Sequence, residues 1–228
     1  MSKALTTTKP SELAVVAQRI DEIAATAPAL FAQANSFSAA IQVAQTVRDL
    51  ESLLTDDVMQ PIMSLAGSRL GFLTDKPYPV DVVRRCFIEA TMRGFYPVGN
   101  EWNIISGNFY AAQAGFFRRL TDGKSFPGLT DFRDWYDVPR MSEKGALIKC
   151  GATWIYHGKA DKLECELAIR VNAGMGSDAI VGKAKRKLCK RVHDALLGIV
   201  TPDTDEDAIT VESTRVPEDK PKFGLSPE

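Results

Sequence analysis

Residues 146–171, ALIKCGATWIYHGKADKLECELAIRV, decide the fold. Two runs of alternating character, 146–156 and 162–171, flank Gly158-Lys159-Ala160-Asp161. In the second run Leu163, Cys165, Leu167, Ile169 and Val171 share one face, and Lys162, Glu164, Glu166 and Arg170 take the other. A period of two bounded by turn formers predicts a β-hairpin. The glycine-bearing loop 172–176 follows. The spacing then changes to that of a helix over 177–197, with Val181, Ala184, Leu188, Val192, Ala195 and Leu196 on one stripe and Gly198 as its stop.

Working toward the N-terminus, 121–144 is polar with scattered aromatics (Phe126, Phe132, Trp135, Tyr136) and reads as loop and short elements. Residues 111–120 read as a helix. Trp102-Asn-Ile-Ile-Ser106 and Asn108-Phe-Tyr110 read as short strands interrupted by Gly107. Residues 80–93 form an amphipathic helix carrying Val82, Val83, Phe87, Ala90 and Thr91, ended by Gly94. Before the breaker Lys76-Pro77-Tyr78-Pro79 the chain is helical. One helix starts at Ser11 as its cap and breaks or restarts at Pro28. A second helix or helical pair covers 29–54, and a third covers 56–70. This yields three expected units: a helical arm at 1–75 that packs on something such as a neighbouring subunit, a core at 76–200, and a tail at 201–228. The tail is polar, acidic and proline-bearing, with too little apolar area to order itself.

The chain has 228 residues, 45% apolar and 25% charged, which excludes a fibrous or wholly disordered protein. No run is long and apolar enough for a membrane helix, and 1–16 lacks a secretory core, so a cytosolic location is expected. The four cysteines (Cys86, Cys150, Cys165, Cys189) form no C-x-x-C pair, and His157 and His193 lie far apart. Reduced, buried thiols are expected and no metal or cofactor. Net charge is −1, but it is unevenly placed: 6 basic and 8 acidic groups in 1–80, 19 and 13 in 81–200, 3 and 8 in 201–228. A basic middle before an acidic tail points to a polyanion partner.

The strongest local signal is 182–191, GKAKRKLCKR, with six basic residues in ten and no acid between Asp178 and Asp194. Lys183, Arg186, Lys187, Lys190 and Arg191 are expected to share a broad helical face, with Lys185 in the same run, offering spaced cations to phosphates. Gly174 to Lys183 imitates a phosphate-binding loop. Five residues rather than four separate Gly176 from Gly182, and Ala184 stands where a magnesium-holding hydroxyl is needed, so nucleotide hydrolysis is not expected. A second cluster, 102–120, WNIISGNFYAAQAGFFRRL, mixes Trp102, Asn103 and Tyr110 with Arg118 and Arg119, a combination suited to stacking bases and pairing phosphates. Phe109, Phe116 and Phe117 are expected in the core. Arg84 and Arg85 add a further basic pair. No Ser-His-Asp arrangement is visible. The carboxylate pairs Asp134/Asp137 and Glu164/Glu166 are the only hint of a metal-dependent nuclease.

Residues 94–107 (GFYPVGNEWNIISG) and the late helix with Ala184, Arg186, Lys187, Lys190 and Arg191 resemble the phage single-strand annealing proteins of the RecT/Redβ type. The positions that carry the resemblance include Gly94, Pro97, Ile104, Ile105 and Gly107, over roughly residues 55–198. Ser106 before the strand glycine and the segment 121–144 depart from the family pattern. The resemblance implies an α+β fold: a small curved antiparallel sheet packed by helices, with DNA in a basic groove. It also implies ATP-independent annealing of complementary strands without an enzyme's chemistry. The implied partners are single-stranded DNA, the annealed duplex, copies of the chain in a ring or helical filament, a phage exonuclease and the single-strand-binding protein of a bacterial host. A non-annealing single-strand-binding protein and a metal-dependent nuclease are the alternatives.

Overall fold

The computed structural model describes residues 10–142, 145–172 and 174–199. Their elements are α1 (Pro10–Ala32), α2 (Phe37–Leu53), α3 (Asp56–Met63), β1 (Leu73–Thr74), α4 (Val80–Met92), β2 (Trp102–Ile105), β3 (Asn108–Ala111), α5 (Gln113–Thr121), β4 (Leu129–Tyr136), β5 (Arg140–Ser142), β6 (Gly145–Tyr156), β7 (Lys159–Ile169) and α6 (Ser177–Leu196). The class is α+β, as expected. The tail at 201–228 lies outside the described residues.

The larger sheet is built on the hairpin. β6 and β7 pair antiparallel from Tyr156↔Lys159 to Ala146↔Ile169. His157 and Gly158 make the two-residue turn, both in left-handed backbone (φ 49 and 76), which matches the twist of the strands they join. The turn therefore falls one residue before the glycine-led segment expected from the sequence, and Lys159 already belongs to β7. The other edge of β6 is shared: β4 pairs along Cys150 to Tyr156 and β5 along Gly145 to Leu147, both antiparallel. β4 corrects the reading of 121–144 as mostly loop. Its inward positions are Phe132, Asp134 and Tyr136, so a carboxylate interrupts what would otherwise be an apolar alternation. A register shift between Thr130 and Arg133, with Asp131 at φ 53, breaks the period further.

α6 crosses the inner face of this sheet, so that Ala184, Leu188, Cys189 and Val192 are buried along with Ile148, Cys150, Ala152, Leu167 and Ile169. A lone hairpin is marginal in water, and the helix supplies the second layer that stabilises it. α5 packs on α6 and reaches β4 through Phe117 and Phe132.

The smaller sheet, ordered β1-β2-β3, is a hairpin turned at Ser106 and Gly107 (φ 52 and 77), extended by the parallel pair β1–β2. α4 packs on it, and α1, α2 and α3 pack on α4. The helices before residue 75 thus join the rest in one apolar cluster through Ala27, Leu50, Leu54, Val58 and Met59. Two details differ from the sequence expectation. α1 begins at Pro10, so Ser11 lies inside the helix rather than capping it; proline suits a first turn because its missing N–H has no partner there. α1 also runs through Pro28, whose ring packs against Gly94; contact with α4 offsets the one backbone bond that the imino nitrogen cannot donate. Ser36 caps α2 by accepting from the Ala39 N–H at 3.2 Å, and α3 ends at Met63 rather than near 70.

Candidate nucleic-acid interface

At about 100° of turn per residue, Lys183, Arg186, Lys187, Lys190 and Arg191 lie within roughly 140° of the α6 surface and Lys185 lies on the far side, yet their surroundings differ. Lys183 and Lys187 lie along the β7 side. The Lys183 ammonium donates to the Arg170 carbonyl at 3.1 Å, and the Lys187 ammonium donates to the Ala168 carbonyl at 3.1 Å. Arg191, one turn further, is half-buried. Lys190 pairs with Asp194 at 2.8 Å. Lys185 turns to the other side, 4.4 Å above the Phe117 ring and 3.6 Å from Asp134. Arg186 is buried at 9% exposure, with its guanidinium 4.4 Å over the Tyr110 ring. The broad face expected from the spacing thus holds in angle, but within it Arg186 is buried and Lys190 is paired with Asp194. Lys183, Lys187 and Arg191 form a cationic row beside the end of β7, with Arg170 exposed next to them.

The second cluster is largely structural. Trp102 is fully buried and stacks on Phe72 at 4.2 Å, so neither ring face is open to a base. Sequence composition could not separate it from an exposed aromatic; its parity with Ile104, the other buried residue of β2, does. Asn103 accepts the Leu73 N–H at 3.2 Å and thereby ties β1 to β2. Tyr110 is half-buried under Arg186. Phe116 is in the core as expected, whereas Phe117 is partly exposed, edge-on to Phe132.

Arg118 is held by Glu101 at 2.5 Å and Asp122 at 2.7 Å. Arg119 is buried. Arg84 pairs with Asp56 and, at 2.7 Å, with Asp81, and its Nε donates to the Leu54 carbonyl at 2.8 Å. It clamps α3 to α4. Arg85 is exposed and donates to the Gly107 carbonyl at 2.9 Å.

The carboxylates do not converge. Asp134 faces inward, accepting from the Tyr136 hydroxyl at 2.9 Å, while Asp137 is exposed beyond the end of β4. Glu164 pairs with Lys162 at 3.3 Å and Glu166 pairs with Arg140. Cys150 and Cys165 face each other across the hairpin, sulfurs 3.7 Å apart, and each thiol is the other's neighbour. Burial pushes the Cys86 thiol up to about 11 and the Cys189 thiol up to about 12.

One exposed aromatic escaped the sequence reading. Trp135 lies on the outer face of β4 with its indole over Gly151, where an added Cβ would come within 2.7 Å of the ring. Arg133 is exposed two residues away on the same face. A glycine in the interior of a strand is the sequence signal for such a close approach.

No family model, no curated protein and no solved structure matches the chain. Among the described residues no helix is long and apolar enough to cross a membrane.

Proposed function

We propose that this chain binds single-stranded DNA along the α6–β7 seam and, as a homo-oligomer, anneals complementary strands without ATP. The observation that carries this reading is the ladder of Lys183, Lys187 and Arg191, each four residues from the next and so about 6 Å apart along the helix axis, beside Arg170. A row of cations pinned to a rigid edge offers repeated phosphate contacts, and their strength comes from the release of counterions. The resemblance of 94–107 and of the late helix to the RecT/Redβ type adds strand annealing to strand binding. Self-association is supported by apolar side chains left outside on the first two helices: Val15 at 68% exposure, and Phe37 at 92% and Ile41 at 69%, one turn apart on α2. Annealing requires only that phosphate repulsion be neutralised and bases held accessible.

The test is an annealing time course with two complementary oligonucleotides, run beside electron microscopy with and without single-stranded DNA. Faster annealing and rings or filaments are expected. Strand binding without acceleration would reduce the function to coating, and no binding at low salt would end the reading altogether.

A further inference from the structure

Arg119 is only 4% exposed, and among the described residues it makes no ion pair. Buried guanidinium groups are ordinarily matched by a carboxylate. Here Nε donates to His193 Nε2 at 3.0 Å and Nη1 to the Gly94 carbonyl at 3.1 Å, while Nη2 has no partner among the described residues. His193 is no counter-ion. Because its Nε2 accepts from Arg119, the ring is the neutral tautomer with the proton on Nδ1, which donates to Asp194 at 3.2 Å. The carboxyl end of α4, where Gly94 lies, offers about half a negative charge at most.

The nearby carboxylates are already engaged. Glu101 takes Arg118 and the Tyr96 N–H. Asp122 takes Arg118, the Lys124 and Ser125 N–H groups and the Ser125 hydroxyl. Burial, together with the charge of Arg118, pushes the Arg119 guanidinium down to about 10, which still leaves it charged at neutral pH.

This charge, offset only through space by Asp122 and Glu101, lines a cleft of about 570 Å³ between the Ala24–Ala29 stretch of α1 and the loop after α5, with Arg118, Asp122, Lys124, Phe126 and Tyr96 on its walls. The volume falls within the range of roughly 300–1,000 Å³ usual for small-ligand sites. Arg118 stacks over Tyr96 at 4.5 Å, and the tyrosine is 43% exposed. A cation fixed at the wall, a second at Lys124 and an exposed aromatic ring make a site for an anion that carries a planar group.

We propose that this cleft binds a phosphate monoester attached to a nucleobase, with Arg119 and Lys124 holding the phosphate and Tyr96 packing against the base. A monoester carries about −1.5 to −2 charge at pH 7, more than an internal phosphodiester, and the Nη2 of Arg119 is the charged donor left for such an oxyanion. The ligand is a 5′ mononucleotide or the phosphorylated end of a strand. The inference is independent of the α6–β7 reading, since the seam would contact internal phosphates of any strand.

Calorimetry on the full chain, with inorganic phosphate, a 5′ deoxynucleoside monophosphate and the corresponding nucleoside as probes, tests it. The nucleotide is expected to bind, phosphate to bind more weakly and the nucleoside not at all. Lys124→Glu, on an exposed loop, should weaken nucleotide binding at least tenfold with no change in melting temperature; Arg119→Met should abolish it; Lys183→Ala should leave it as it was. A 5′-phosphorylated oligonucleotide that binds more tightly than its 5′-hydroxyl twin identifies the strand end as ligand, and equal binding of the two identifies the free nucleotide. Circular single-stranded DNA, which has no terminal phosphate, reports on the seam alone. The proposal is overturned if folded wild-type protein binds neither phosphate nor nucleotide at millimolar concentration, or if Lys124→Glu binds nucleotide as the wild type does.

Discussion

Removing Lys183 and Lys187 together is the most direct perturbation of the seam. For a single strand the logarithm of the binding constant falls with the logarithm of salt concentration at about −0.7 per phosphate neutralised. Contacts from Lys183, Lys187, Arg191 and Arg170 then give a slope of about −2.8, and the double substitution to alanine leaves about −1.4. The cost to the fold is small by comparison. The Lys183 ammonium donates to the Arg170 carbonyl just past β7 and the Lys187 ammonium to the Ala168 carbonyl, and a hydrogen bond of this kind contributes about 0.5–1.5 kcal/mol where it is well shielded and less at a half-exposed edge. A domain of ordinary stability, about 5–15 kcal/mol, tolerates that loss. The assay is fluorescence anisotropy of a labelled oligonucleotide across a salt series, with thermal melting as the control for folding. A halved slope with a melting transition near that of the wild type supports the seam. An unchanged slope in a folded variant refutes it, and the cations that bind the strand then lie elsewhere.

The other predictions concern the scaffold. Leu188→Ala removes a fully buried side chain between α6 and the sheet and should cost about 2–5 kcal/mol, read as a lower urea midpoint. Gly151→Ala places a Cβ within 2.7 Å of the Trp135 indole; the exposed ring should swing away, shifting tryptophan emission, at about 1 kcal/mol of stability. His193 gives a pH dependence. Burial holds its imidazole below the ordinary value of about 6.5, with Arg119 and Lys190 pushing the same way and Asp194 opposing; Phe95, Phe116 and Phe126 complete its surroundings. The unfolded chain therefore takes up the proton first. The stability from the neutral ring is complete above that ordinary value and declines as pH falls below it, which His193→Gln, unable to protonate, should flatten in melting curves between pH 7 and about 5.

Much of the fold was legible because it rests on local periodicity. The hairpin of β6 and β7, the helix α4 ended by Gly94 and the helix α6 all follow from apolar spacing that no tertiary contact contradicts. β4 was not legible because its inward row reads Phe132, Asp134, Tyr136. Only the fold reveals that Tyr136 and Lys185 make a polar side chain acceptable there. The union of the first helices with the rest was equally hidden. Light residues such as Ala27 read as a weak core, yet Ala27, Leu50 and Met59 are buried together.

The candidate site was less legible than the fold, for a reason carried by the lysine and arginine side chains themselves. A charge run in sequence is read as a solvated face, but long stems let Lys and Arg pass over apolar surface and place their charge at a distant partner. On α6, residues 183, 187 and 191 recur every fourth position; Arg186 stands only about 60° from Lys183, on the other border of the same face, and Lys185 about 160° away. Those two were drawn to Asp134 and Tyr110, partners far away in sequence. Arg118 and Arg119, adjacent in sequence, met opposite fates: the first is ringed by Glu101 and Asp122, the second is buried with a neutral histidine. What a basic residue can offer a polyanion thus depends on which acids the fold brings to it.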